Sequence, residues 1–489
     1  MNSSNTFSKS YLILAFIILL AVIIRIYFFV GHIFSDDAYY SYLSYTLQSG
    51  NFANDYLGYP VFPLRIAFLG LTSISMMIFG TNEFAVIIFP FLFSILSILL
   101  VYKITLLLTD NGNISLTAAF LAALFPTDVI FATIGFPDLI NVFFINLGIY
   151  FLLKSYYSKN KTSAFIGGFS LFLSMQFKEN IYYIIIMFII LLGYYLYKNK
   201  RVNYQLLVGI LFIVGNYLFE GFIYLLLHND FLYRVTITNI NYKYSYYDFF
   251  PYSAHKFSDS KNYFRNLFDQ IFLVNAKSIF LRRFYLFLPL VSIVQSYLSF
   301  KKKEHALLLF WFWCLAILMI AFTTSFTEYK PLDLARSWYI FPLLMPMLIL
   351  SSIFINRFSN SVRSLLLIIY SIGSLIMCYN YQTFFDSDNL SALKQFLRDN
   401  PAKIIYTDHF TKYSVDLIRE YESDYSERIP GKDFSLDNIE EGNWVLFNKE
   451  HIAELEMQDY NFPDFSILNS SQFKQVTSFR NFIFYEKQR

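Results

Sequence analysis

An apolar run long enough to cross a hydrocarbon core leaves a chain almost one option, because in lipid each backbone amide must find its partner close by, as it does in a helix. This chain carries about eleven such runs of roughly 17 to 25 residues. They begin near Tyr11, Phe84, Ser115, Leu139, Ser163, Ile181, Tyr204, Phe284, Ala306, Trp338 and Leu365. Charged residues make up 15% of the 489, well below the quarter or so of a soluble domain. The expectation is a polytopic α-helical membrane protein. The segment Met1 to Val30 has no small-residue cleavage site after its apolar stretch, so it reads as a signal anchor.

Basic residues in short loops set the orientation of such a chain. With the N-terminus inside, the inner loops hold Lys103; Lys154, Lys159 and Lys161; Lys198, Lys200 and Arg201; Lys301, Lys302 and Lys303; and Arg357 and Arg363. The loop after the first helix, the junctions near Asp138 and Lys178, the segment from His228 to Arg283, the loop around Arg336 and the C-terminal part then lie outside. The 38 basic and 35 acidic residues nearly cancel, which speaks against a nucleic-acid partner or an acidic tail. Cys314 and Cys378 both sit in apolar runs, so neither a disulfide framework nor a cysteine zinc site is expected.

After Tyr379 the pattern changes. NLSALKQFLRDN reads as a short helix, and KIIYTD, NWVLFNKE, FKQVTSF and NFIFYEK read as strands. The expected organisation is a transmembrane domain over residues 1–380, with interfacial helices in a first outer loop at 31–83, and a small outer α/β domain over residues 381–489. That domain shows no phosphate-binding glycine fingerprint, metal motif or nucleophile elbow.

The first outer loop opens with FSDDAYYSYLSYTLQSG, residues 34–50. Ser35 or Asp36 is placed to cap the helix that follows, and Gly50 stands where such a helix stops. Capping needs one carboxylate, not two. Tyr39, Leu43 and Leu47 recur at four-residue spacing and form one apolar face, as in a helix lying in the membrane interface. The tyrosine-rich stretch NINYKYSYYDFFPYSAHKFSDSK (239–261) has an interfacial composition too.

In order, an apolar helix with Arg25, SDDAYYSYLSYTLQSG, GYPVFPL and FGTNEFA resembles the start of the GT-C glycosyltransferases, especially their protein O-mannosyltransferase, aminoarabinose transferase and RgtA-like branches. The resemblance covers about the first 200 residues and extends more loosely to the helix count and the outer C-terminal domain. It implies a polyprenyl-phosphate monosaccharide as donor, a hydroxyl acceptor on a protein, a lipid-linked glycan or an envelope polymer, and inversion at the anomeric carbon. Asp36 matches the family's catalytic acid and is the expected general base. Asp37, where many relatives have Glu, is expected to orient it or the sugar. The inverted assignment, with Asp36 capping and Asp37 reacting, stays open. The chemistry asks for such groups, since a carboxylate must take the acceptor proton while cations stabilise the departing phosphate.

Asp138, Glu83, Lys178, Arg336, Arg282 and Arg283 are the substrate-binding candidates on the same side. For each a plainer role competes: helix initiation for Asp138 and Glu83, snorkelling for Lys178 and interfacial anchoring for the arginine pair. Glu179 is placed to neutralise Lys178, and Arg25 to pair with an acidic loop residue. Asp36, Asp37, Asp138, His32 and His255 carry donors that suit a divalent ion, but their spacing specifies no geometry. The resemblance implies no cofactor and favours a metal-independent site. Two other classes remain: a flippase or transporter, whose charges would be spread through the membrane midplane, and an assembly scaffold, in which the acidic pair would be dispensable.

Overall fold

A computed structural model describes residues 3–52, 61–179, 181–244, 287–321, 340–386, 389–421, 426–428, 436–449 and 468–488. Helices in chain order are α1 (Ser3–Tyr27), α2 (Asp36–Gln48), α3 (Ile66–Phe79), α4 (Glu83–Thr109), α5 (Gly112–Ala123), α6 (Pro126–Phe131), α7 (Asp138–Ser158), α8 (Lys161–Met175), α9 (Ile181–Asn199), α10 (Tyr204–His228) and α11 (Tyr233–Tyr244). They continue with α12 (Phe287–Lys302), α13 (Ala306–Ala321), α14 (Phe341–Ile355), α15 (Asn360–Phe385), α16 (Leu390–Asp399) and α17 (His409–Ile418). Each apolar run read from the sequence gives one of these helices. Among the described residues, α1, α4, α7, α9, α10 and α15 are long and apolar enough to cross a membrane unaided.

Other runs give shorter helices for local reasons. α5 has 12 residues, about 18 Å of rise, and ends before Pro126. Proline's ring pushes the residue ahead of it out of helical geometry, and Phe125 is extended at ψ 116°. The chain therefore restarts as α6, and the pair occupies the place of one span.

The bundle core is largely apolar, and one buried ionic group lies at α1. Arg25 in α1 is fully buried. Its guanidinium donates to Asp128 Oδ1 at 2.5 Å, to Ser94 Oγ at 2.7 Å and to the carbonyls of Ala21 and Ala123 at 3.1 Å each, and Ser94 also donates to Asp128. The expected acidic partner of Arg25 thus exists, but it comes from α6 inside the bundle.

The C-terminal unit is a mixed sheet of β1 (Ile405–Thr407), β2 (Ser426–Arg428), β3 (Trp444–Asn448), β4 (Phe473–Phe479) and β5 (Phe482–Lys487), in the order β2-β1-β3-β5-β4. β1 runs parallel to β2 and β3, while β5 is antiparallel to β3 and β4. The helix and four strands read from the sequence are present. α17 and the three-residue β2 were not anticipated, being too short for a clear period.

This unit rests on the loop and helix that follow α1. Phe34 is buried in the same cluster as Leu393, Leu397, Trp444 and Phe484, with its ring 5.2 Å from that of Phe482. Tyr42 stacks on Tyr413 at 3.9 Å and Tyr45 on Tyr421 at 4.0 Å. The α2 face that resembled an interfacial stripe is covered by protein: Tyr39 and Leu43 pack with Phe62, Phe68 and Tyr413, and Leu47 lies against the same cluster.

Replacing Arg25 by Met strands the Asp128 carboxylate in an apolar bundle, so the expected loss is about 3–5 kcal/mol. Thermal unfolding of the purified protein in detergent tests this, with Arg25→Met/Asp128→Asn recovering much of the loss.

Candidate functional site

The two carboxylates of the acidic pair differ in burial. α2 starts at Asp36, and Ser35 occupies the cap position without a side-chain bond to the helix. Asp37, one residue into the helix and fully buried, turns back on the chain that leads into it. Ile33 N–H donates to its Oδ2 at 2.7 Å and Ser35 N–H to its Oδ1 at 2.9 Å, while His32 Nδ1 lies 2.8 Å from Oδ2. Burial pushes the Asp37 carboxyl up, but His32 and the two amides outweigh it and hold the group below the ordinary carboxylate range. Asp36 is half-buried. At the far end the helix stops as its sequence suggests, with Gly50 at φ +74°.

Glu83, at the start of α4, braces the same loop from the other side. It accepts from His32 N–H at 2.5 Å, from Lys394 Nζ at 2.6 Å and from Arg398 at 3.2 Å. Gly31 makes room for it: at φ +76° a Cβ there would stand 2.2 Å from Glu83 Oε1, so only glycine fits both the backbone and the space. The residue read as a substrate candidate therefore links α16 of the sheet unit to the loop holding Asp36 and Asp37.

Asp138 and Lys178 meet. Lys178 Nζ donates to Asp138 Oδ1 at 2.6 Å, both side chains being largely buried, and Asn141 fixes the turn by donating to the carbonyls of Ser174 and Lys178 at 2.7 and 3.0 Å. The position is close to the acidic pair, since a Cβ on Gly135 would lie 3.7 Å from Asp37 Cβ. Glu179 was expected to neutralise Lys178. Instead it faces Arg65 at 3.3 Å and Arg234 at 3.5 Å. Burial raises its carboxyl, and the two arginines more than reverse that, leaving it below the ordinary range.

Arg65, Glu220 and Arg234 were not singled out in the sequence. Arg234 donates from Nε and Nη2 to Glu220 at 2.7 and 2.6 Å and to the Leu64 carbonyl at 2.8 Å. Gln176 bridges Asn216 and Glu220, at 3.2 Å to each. Arg65 lies over the rings of Tyr40 and Phe62, at 5.6 and 5.1 Å, which joins this network to α2. A signal was available: Glu220 is an acid inside an apolar run, and such a residue implies a nearby cation.

Arg282, Arg283, Arg336 and His255, and the 239–261 stretch beyond Tyr244, lie outside the described residues. Among the described residues no three His, Cys, Asp or Glu side chains gather as metal ligands. Both Asp37 oxygens are held by amides and His32, and Asp138 holds Lys178.

A family model described as Dolichyl-phosphate-mannose-protein mannosyltransferase matches residues 63–219. Among solved structures, apo ArnT from Cupriavidus metallidurans superposes with a TM-score of 0.60 at 10% identity, covering 98% of each chain. Its complex with undecaprenyl phosphate gives 0.57 at 10% identity, over 99% of this chain and 98% of that one. The Archaeoglobus fulgidus oligosaccharyltransferase tethered to an acceptor peptide gives 0.54 at 12% identity, over 98% of this chain and 74% of that one. No curated protein matches the sequence. The chain thus has the polytopic helical fold of these GT-C structures, with charged residues gathered around the loop between α1 and α2. Within it, the likeness runs to the mannosyltransferase family model, to ArnT and to the oligosaccharyltransferase, as the sequence resemblance implied.

Since the Asp37 pKa is held down in the folded state, its contribution to stability is present above the unfolded carboxylate value near ~4 and is lost as pH falls through the folded value. Asp37→Asn is expected to lower the melting temperature at neutral pH and to flatten the acid limb of the melting curve. Thermal unfolding between about pH 3 and 7 reads both.

Proposed function

We propose that this protein transfers a monosaccharide from a polyprenyl-phosphate carrier to a hydroxyl acceptor at the outer membrane face, with Asp36 as general base. In that reaction the acceptor oxygen forms a bond to the anomeric carbon as the bond to the carrier phosphate breaks. The acceptor proton passes to the Asp36 carboxylate, the electron pair leaves with the phosphate, and the anomeric centre inverts.

The observation that carries this reading is the division of labour in the acidic pair. Asp37 commits both oxygens to its own loop and to His32, which makes it the member that holds the loop, while the family resemblance assigns the chemistry to Asp36 at the half-buried start of α2. Lys178, poised on Asp138, is the candidate for the lipid phosphate, since a lysine can exchange one oxyanion partner for another. Arg336, Arg282 and Arg283 remain candidates for the same charge. Two complexes support the carrier class: ArnT bound to undecaprenyl phosphate, and the Archaeoglobus fulgidus enzyme AglB with an inhibitory peptide and a dolichol-phosphate. The basic loops supply the orientation, with the N-terminus and those loops inside and the sheet unit outside. Sugar and acceptor are open within this class.

A panel of polyprenyl-phosphate sugars offered with envelope glycans and peptides, assayed for transfer by mass spectrometry, tests the proposal. Asp36→Asn is expected to reduce transfer by about 10²–10⁴ with the wild-type melting temperature. Unchanged transfer by that variant removes Asp36 from the role.

A further inference from the structure

A second site lies at the opposite end of the helices. α7 begins with Asp138 and α9 begins just after Glu179, whereas a cavity of about 330 Å³ opens where α7 and α9 end and where α10 and α13 begin. That volume is in the usual range for a small-molecule pocket. Its walls are apolar, built from Leu152, Leu153, Phe188, Leu191, Leu206 and Trp311. The Trp311 indole N–H is buried and has no hydrogen-bond partner among the described residues, a donor left over inside a greasy slot.

The rim is basic. KSYYSKNK (154–161), KNKRVN (198–203) and KKKEH (301–305) flank the lining residues Tyr156, Asn203 and Leu307, and Glu304 is the only acid in those three segments. The link is direct at one point, since Lys159 Nζ lies 4.8 Å from the centre of the Tyr156 ring. Glu304 faces away to Arg357 at 3.8 Å. Loop charges alone follow from orientation, but they do not call for an apolar cavity behind them or an unpaired donor within it.

We propose that this cavity holds an acyl chain of an anionic phospholipid of the inner leaflet, with its phosphate among the 159–161 and 198–201 bases and an ester carbonyl accepting from Trp311. The proposal rests on the orientation adopted above and not on the transfer chemistry. Anionic headgroups are attracted by such clusters at about fivefold in affinity per charge, and the chain supplies the apolar burial that a free headgroup lacks.

The test uses the full-length protein in detergent, with phosphatidylglycerol, phosphatidylcholine of the same chains, and water-soluble glycerophosphoglycerol as probes. Native mass spectrometry is expected to show selective retention of phosphatidylglycerol, reduced by about fivefold per charge in Lys200→Gln/Arg201→Gln and abolished in Leu153→Trp and Leu191→Trp, which plug the slot from different helices. Phosphatidylglycerol brominated on its chains is expected to quench a fluorescence component that Trp311→Phe removes, a readout that survives even if a plugged variant fails to fold. Equal retention of the two phospholipids, competition by the headgroup alone, or brominated lipid that leaves Trp311 emission unchanged would overturn the proposal. Because these readouts are lipid retention and fluorescence, a failed transfer assay leaves them intact.

Discussion

The arrangement of the chain around the acidic pair depends on the bond set of Asp37. A carboxylate buried without water must have its charge answered locally, and here the answer comes from the loop immediately before it, through the amides of Ile33 and Ser35 and the ring of His32. Those bonds fix the path of the chain between α1 and α2. Once the path is fixed, Phe34 points into the sheet unit, the His32 amide points at Glu83, and Asp36 stands at the head of α2. One buried charge thereby sets the direction of two neighbouring side chains and one backbone amide.

The second constraint is neutrality among buried ions. Arg65, Lys178 and Arg234 are matched by Asp138, Glu179 and Glu220, largely in hydrogen-bonding geometry. Removing one member of such a set costs more than the pair contributes, because its partner stays behind. The Arg234–Glu220 pair is bidentate and buried, a permanent brace between α10 and α11. Lys178 meets Asp138 through its ammonium, a contact with less fixed geometry than the arginine fork.

Much of this was legible in the sequence because membrane burial writes itself as long apolar runs, and all those runs became helices. The acidic pair and the Asp138 and Lys178 positions were legible because charges at the ends of such runs are conspicuous. What escaped was pairing. Asp138 rather than Glu179 took Lys178, and Asp128 rather than an outer-loop acid took Arg25, since a partner's identity depends on how helices far apart in the chain come together. Tertiary contact also overrode the amphipathic reading of α2, whose Tyr39 and Leu43 look the same in sequence whether lipid or the Tyr413 ring covers them.

The placement of Phe34 bears on how the protein is made. Its ring completes a core otherwise built from α16, α17 and the sheet, so a loop synthesised early must wait beside the bundle until the segment carrying Phe482 is translated. Contacts of such sequence separation form late and slowly. Until they do, the Asp36 loop lacks Lys394 and Arg398 at Glu83 and the stacking of Tyr42 and Tyr45. Docking of the sheet unit thus completes the surroundings of the acidic pair, so the loop reaches its final packing only after a segment made several hundred residues later has folded against it.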